Sequence, residues 1–304
     1  MPTIAYLADP TVAELVGPIE GLTIVTDVGG EPPAQAYQAD AYVPKFLAGG
    51  PATEIVARLP RLRLIQLATA GAEAWLSVVP PGVTLATARG AHGAATAEWA
   101  VGALVAVVRE FPGFVAAQRE QRWTSHNTDL LAGKKAIVVG AGDLGERTRR
   151  RLEAFDVEVT MVARTARDGI RGIDELRGLL SVHDVVVLVL PLTEESTGLV
   201  DAPFLAAMPD GAILVNAARG KVVLTDALIA ELASGRLRAA LDVTEPEPLP
   251  PGHPLWTVPG LLLTPHVGGS AVGASERAAA VVRDQLTRFA AGEPVHNVVG
   301  TTGY

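Results

Sequence analysis

From Thr3 to Ala88, short apolar runs alternate with polar or helical stretches. "TIAYLA", "LTIVT", "ADAYV", "LRLIQLA" and "VTLATA", beginning at Thr3, Leu22, Ala39, Leu62 and Val83, carry the β-branched and aromatic residues of strands and predict a small parallel α/β unit. From Ala94 to about Gln121, alanine, leucine and valine recur at helical spacing, which predicts a long connecting helix bent or ended at Pro112. A second series follows in "KKAIVVG", "VEVTMVA", "HDVVVLVLP", "GAILVNAARG", "LRAALDV" and "GLLLTPH". Strands this continuously apolar belong to a parallel sheet covered on both faces. After Gly273, "ASERAAAVVRDQLTRFAAGE" reads as one more amphipathic helix, with Glu276 and Arg283 among the residues expected at its exposed face. The pattern does not say what that helix docks on.

Composition narrows the function classes. A chain of 304 residues exceeds what one core usually serves, so two domains are expected, and 49% hydrophobic against 19% charged residues excludes a disordered chain. A net charge of -8 argues against nucleic acid as a partner. No cysteine is present, which removes thiol nucleophiles, disulfides and thiolate metal sites, and no metal centre is expected. "MPTIAYLADP" lacks the basic start and apolar region of a secretory signal, so the expected compartment is the cytoplasm. "WAVGALVAVV", from Trp99 to Val108, is too short to cross a bilayer, and no membrane partner is expected. It reads as a buried core helix or as the helix pair of a homodimer.

The candidate chemistry starts at "VVGAGDLGERTRRRL", where Gly140, Gly142 and Gly145 follow an apolar strand and open a helix in the order G-x-G-x-x-G. Gly140 would permit a tight turn, Gly142 the close approach of a pyrophosphate to the backbone, and Gly145 close packing of helix on strand, with the helix amino terminus facing the phosphates. In such a unit an acid about twenty residues on accepts hydrogen bonds from the adenosine ribose. Here "VTMVARTAR" puts Arg164 at that place, followed by Thr165 and Arg167. A guanidinium suits the 2′-phosphate of NADP, which a carboxylate would repel, so the three residues read as a 2′-phosphate clamp. The alternative is a pair of solvated surface arginines.

Three more residues fall just past predicted strand ends, where ligands bind in open α/β sheets: Arg219 in "NAARGKVV", Glu247 in "LDVTEPEPLPPGHPLW" and His266 in "LLLTPHVGG". With "GAGDLG", "LPLTEEST", "NAARG", "LDVTEPEPLP" and "TPHVGGS" in this order and spacing, the chain resembles the D-isomer-specific 2-hydroxyacid dehydrogenases, closest to their glyoxylate and hydroxypyruvate reductases. The resemblance is dense from about Gly90 to Ser270 and thin before it, where "LATAGAEAW" only loosely matches the family's substrate loop.

The resemblance implies an α/β fold of two domains. A Rossmann dinucleotide-binding domain, residues 96–272, would be inserted in a smaller flavodoxin-like parallel α/β substrate domain made of residues 1–95 and 273–304. It implies reduction of a small 2-keto acid to the D-2-hydroxy acid with NADP preferred and NAD an alternative. Arg219 would hold the substrate carboxylate and polarise its keto oxygen, His266 would donate the proton, and Glu247, rather than its neighbour Glu245, would fix the tautomer of the imidazole. Ala70 and Gly71 would complete the carboxylate site with backbone amides, and Asp242 would meet the nicotinamide carboxamide. Further cofactor contacts are implied at Asp143, Leu144, Pro191, Ala217 and Gly268. His92, His126, His183, His253 and His296 read as structural. Two departures stand out: Arg164 replaces the common acid, and Asp156 occupies a place where relatives usually have glycine, with consequences for the turn before the second strand of this series.

Other readings stay open. A corepressor branch resembles this family and keeps the catalytic trio, so a dinucleotide-sensing regulatory protein is one alternative, and a dehydrogenase of another small acid, such as formate, is a second. A phosphoglycerate enzyme with an appended regulatory domain is not expected, because the chain ends soon after its last helix. The identity of the keto acid is not legible.

Overall fold

The computed structural model describes residues 3–46 and 50–300. The chain divides into two compact units, Met1–His92 with Val272–Tyr304, and Gly93–Ala271.

In the first unit, β1 (Thr3–Leu7), β2 (Leu22–Thr26), β3 (Ala41–Val43), β4 (Leu64–Gln66) and β5 (Thr84–Ala86) form a parallel sheet in the order β2-β1-β3-β4-β5. This is the flavodoxin-like order. The two-residue period of a strand sends Ala5 and Leu7 to one face and Tyr6 and Ala8 to the other. The first face is covered by Val12 and Val16 of helix Pro10–Val16 and by Ala278, Ala279, Val282 and Leu286 of helix Ala274–Ala291. The tail helix therefore docks on this sheet, and its Arg283 reaches the carbonyl of Val16.

The second unit holds β6 (Lys135–Val139), β7 (Glu158–Ala163), β8 (Arg171–Gly172), β9 (Val185–Leu188), β10 (Ile213–Asn216), β11 (Arg238–Leu241) and β12 (Leu261–Leu263). They form a parallel sheet in the order β12-β11-β10-β9-β6-β7-β8. The order reverses beside β6, which opens a crevice at the carboxyl ends of the strands. Both faces are buried: Ile137 and Val139 pack with Phe204 and Leu228, while Ala136 and Val138 pack with Leu104 and Leu152. Every predicted strand is present. The two-residue β8 has no counterpart in the sequence pattern.

The long helix expected up to Pro112 is broken earlier. Helices Gly93–Val108 and Phe111–Arg119 meet at 65°, and Glu110 between them takes the left-handed conformation at φ 54°. Pro112 lies in the first turn of the second helix, where the missing amide costs no hydrogen bond. Ala100, Val101, Leu104 and Val108 of the first helix are buried against this unit's own sheet. Among the described residues no single helix is long and apolar enough to cross a membrane. Asp156 takes φ 59° before β7, so the chain turns there through the region glycine favours.

The three glycines after β6 do different work. Gly140 sits at φ +117°, and a Cβ there would run into the carbonyl of Val189; a Cβ at Gly145 would overlap the carbonyl of Gly140. Both are demanded by packing. A Cβ at Gly142 meets nothing within 4 Å, so folding does not require glycine there. We therefore expect Gly145→Ala to lose about 2 kcal/mol in denaturant unfolding, because the overlap is with backbone that cannot swing away. Gly142→Ala should stay within about 0.5 kcal/mol of the parent.

Candidate active site

The sequence-predicted residues of the second unit fall along the carboxyl edge of its sheet. Arg164 follows β7, the glycine loop follows β6, Pro191 follows β9, Ala217 and Arg219 follow β10, Asp242 follows β11, and His266 follows β12. Parallel strands make this possible, because each ends on the same side.

At the β6 end the chain enters helix Asp143–Glu153 through Gly142, which provides no side-chain cap for the first-turn amides. Those N–H groups and the bare Cα of Gly142 form a cradle suited to a pyrophosphate, with the helix dipole of favourable sign. Leu144 is half-buried beside it. The Asp143 carboxylate accepts from Arg147 Nε at 2.8 and 2.9 Å, which offsets the negative charge at the cradle. Beyond β7 the two arginines diverge. Arg167 donates to the Ala141 carbonyl at 2.9 Å and so braces the glycine loop, whereas Arg164 Nε lies 3.5 Å from a carboxylate oxygen of Glu195. Thr165 between them is exposed. Beyond β9, the Pro191 carbonyl accepts from Ser196 Oγ at 2.9 Å.

The turn that carries Arg219 is built by Asn216, a buried residue whose carboxamide accepts from the Ala218 amide and donates to the Arg219 carbonyl, each at 3.0 Å. Ala217 is nearly buried within it, and Arg219 Nη1 donates to the Ala218 carbonyl at 2.7 Å. Gly220 follows because a Cβ there would overlap the Thr244 carbonyl, so the Arg219 turn lies against the loop after β11.

That loop brings Glu247 to His266: Oε1 is 2.5 Å from Nδ1, with both side chains about one-third exposed (39% and 33%). Glu245 contributes instead its carbonyl, which accepts from Thr225 Oγ1 at 2.9 Å. With Nδ1 facing a carboxylate, Nε2 is the nitrogen available to a substrate. His266 itself stands at φ 54°, an uncommon conformation for a bulky residue.

Asp242 explains how that conformation is held. Its carboxylate, 3% exposed, accepts from Thr264 Oγ1 at 2.6 Å, the Val267 amide at 2.9 Å and the Gly268 amide at 2.7 Å, and its carbonyl accepts from the His266 amide at 2.7 Å. The side chain expected on the nicotinamide thus serves the His266 loop in this structure, and Gly268 turns its amide inward to the same carboxylate. Sequence reasoning passed over Asn216, Glu195 and this role of Asp242. An asparagine ending a strand before a turn is the available signal for the first.

Ala70 and Gly71 lie in the first unit, in the turn after β4, where the Gly71 carbonyl accepts from Thr69 Oγ1 at 2.8 Å. The remaining histidines are tied into local structure: His183 joins the Leu179 carbonyl at 2.6 Å and Thr160 at 3.1 Å, and His92 joins the Ala68 carbonyl at 3.1 Å. His126 pairs with Glu110 at 2.9 Å, the His253 ring accepts from the Leu255 amide at 3.2 Å, and the His296 amide donates to Gln285.

Comparison with known proteins gives the family of this chain. Residues 101–268, more than half the chain, match the family model of the D-isomer specific 2-hydroxyacid dehydrogenase NAD binding domain. D-3-phosphoglycerate dehydrogenase of Mycobacterium tuberculosis is 34% identical over 269 residues, 82% of this chain, and the chain spans about half (49%) of that longer protein. A D-isomer specific 2-hydroxyacid dehydrogenase from Xanthobacter autotrophicus Py2, solved with NADPH and MES, superimposes with a TM-score of 0.84 at 30% identity over 99% of each chain. The NADPH-dependent glyoxylate/hydroxypyruvate reductase of Sinorhizobium meliloti, solved with NADP and sulfate, does so at 0.84 with 25% identity, over 99% of this chain and 100% of that one. This chain therefore belongs to the D-isomer-specific 2-hydroxyacid dehydrogenases, oxidoreductases that use a nicotinamide dinucleotide on small hydroxy and keto acids.

Proposed function

We propose that this protein is an NADPH-preferring reductase of a small 2-keto acid of the glyoxylate or hydroxypyruvate class, forming the D-2-hydroxy acid. The observation that carries the reading is the His266–Glu247 pair at 2.5 Å, standing at the carboxyl edge of a sheet whose glycine loop has the open cradle a dinucleotide needs. Support for the phosphorylated cofactor comes from Arg164 in place of an acid after β7, and from the NADPH and NADP named with two solved relatives.

The glycine loop and the first-turn amides would hold the pyrophosphate, and Arg164 the 2′-phosphate. When bound, the nicotinamide supplies the hydride that reduces the keto carbon. Arg219 has the planar fork of donors that binds a carboxylate and stabilises negative charge developing on the keto oxygen. Protonated His266 gives its Nε2 proton to that oxygen, completing the alcohol, and the neutral ring then takes a proton back from solvent. Glu247 keeps Nδ1 engaged throughout, so the ring does not turn away between cycles. Asp242, whose carboxylate accepts from the Val267 and Gly268 amides, holds the backbone that aims the ring.

His266→Ala should lower kcat by about 10²- to 10⁴-fold, the usual contribution of a general acid, with the NADPH dissociation constant changed less than about twofold. Steady-state kinetics beside a fluorescence titration checks this, and near-normal turnover removes the ring from the reaction. Arg219→Ala should raise KM and lower kcat together, since one group serves both bound substrate and transition state; a change in thermal stability alone would make it structural. Arg164→Asp should reverse the cofactor preference by about a hundredfold or more, because a charge-assisted contact is lost and a repulsion gained. Equal NADPH and NADH affinities in the parent would overturn the NADPH assignment.

A further inference from the structure

Strand order places β6 between β7 and β9. Neighbouring strands lie about 4.8 Å apart, so the turns after β7 and β9 face each other across roughly 10 Å, with the glycine loop between them. The Arg164–Glu195 pair spans that gap at 3.5 Å. It therefore crosses the carboxyl end of β6, where the adenosine half of a dinucleotide is expected.

The two ends of the pair are mounted differently from their neighbours. Glu195 stands in a turn fixed from within: buried Ser196 accepts from the Thr193 amide at 2.8 Å and donates to the Pro191 carbonyl at 2.9 Å, and the Thr197 amide donates to the Thr193 carbonyl at 3.0 Å. The backbone is held while the Glu195 side chain, 75% exposed, keeps its rotamer freedom. Arg167 is committed to the Ala141 carbonyl, a backbone group that cannot leave. Arg164 instead meets a side chain that can swing aside.

We infer that Glu195 is a specificity-determining residue, which competes with the cofactor's 2′-phosphate for Arg164 and so restrains the NADPH preference that Arg164 creates. This rests on the assignment of Arg164 to the 2′-phosphate made above. NADH carries no phosphate at that position and leaves the ion pair intact. NADPH must displace the carboxylate, then tolerate it nearby. An exposed ion pair is weak, so displacement is feasible, and the remaining repulsion between a carboxylate and a dianion acts over a Debye length of about 8–10 Å. Glu194, exposed on the same turn with the same charge, provides the comparison for bulk electrostatics.

The test is a set of NADPH and NADH dissociation constants, measured by fluorescence titration at low and high salt on the parent, E195Q, E194Q, R164Q and the R164Q/E195Q double variant. E195Q should bind NADPH about three- to tenfold more tightly and NADH within twofold of the parent, and the gain should shrink as salt rises. In the R164Q background the E195Q gain should fall to the size of the E194Q effect. E195Q indistinguishable from E194Q, or an equal gain for NADH, overturns the competition while leaving the Arg164 assignment standing. R164Q with an unchanged NADPH to NADH ratio overturns the Arg164 assignment itself.

Discussion

A carboxylate shut away from water must find its hydrogen-bond donors inside the protein, and Asp242 finds a hydroxyl and two amides within one short loop. The same residue's carbonyl takes the amide of His266. These bonds pin the chain after β12 to the end of β11, and they offset the roughly 1–2 kcal/mol that a left-handed backbone costs at a non-glycine residue. The His266 ring is thus aimed by backbone geometry alone. A site preorganised in this way spends no binding energy on assembling itself.

Sheet topology distributes the rest. Because all seven strands run parallel, glycine loop, guanidinium, carboxylate and imidazole emerge on one edge although they come from distant parts of the sequence. The turns they sit on interlock: Gly220 fits under the Thr244 carbonyl, Asn216 closes the loop before Arg219, and Arg167 ties the loop after β7 to the one after β6. Each functional side chain therefore stands on a turn that another turn supports.

Much of this was legible in residue order. Runs such as "VVVLVLP", from Val185, are apolar at every position, which a doubly covered strand tolerates, and "VVGAGDLG" carries its strand and helix with it. The long helix ends at Val108, four residues before the proline at which a bend or end is expected, because Pro112 opens the following helix and Glu110 makes the turn. Asp242 was the harder case. A strand-end aspartate reads the same whatever donors surround it, and the pairing of β11 with β12 is what brings Thr264, Val267 and Gly268 to this one. Arg164 and Arg167 looked equivalent as letters; the fold gives one a carbonyl and the other a carboxylate.

The shortness of β8 bears on how the molecule avoids its own kind. An open parallel sheet must stop somewhere, and an edge strand exposes a row of backbone donors and acceptors that could template another chain. Here the β7 side stops in two residues, Arg171 and Gly172, with the chain doubling back just before them where Arg167 and Ile170 exchange backbone hydrogen bonds. Two residues leave too little ladder for a foreign strand to hold. The exposed Arg171 guanidinium adds a charge that such a strand would have to bury. A feature too brief to register in any hydrophobic pattern thereby protects the sheet from aggregation along that edge.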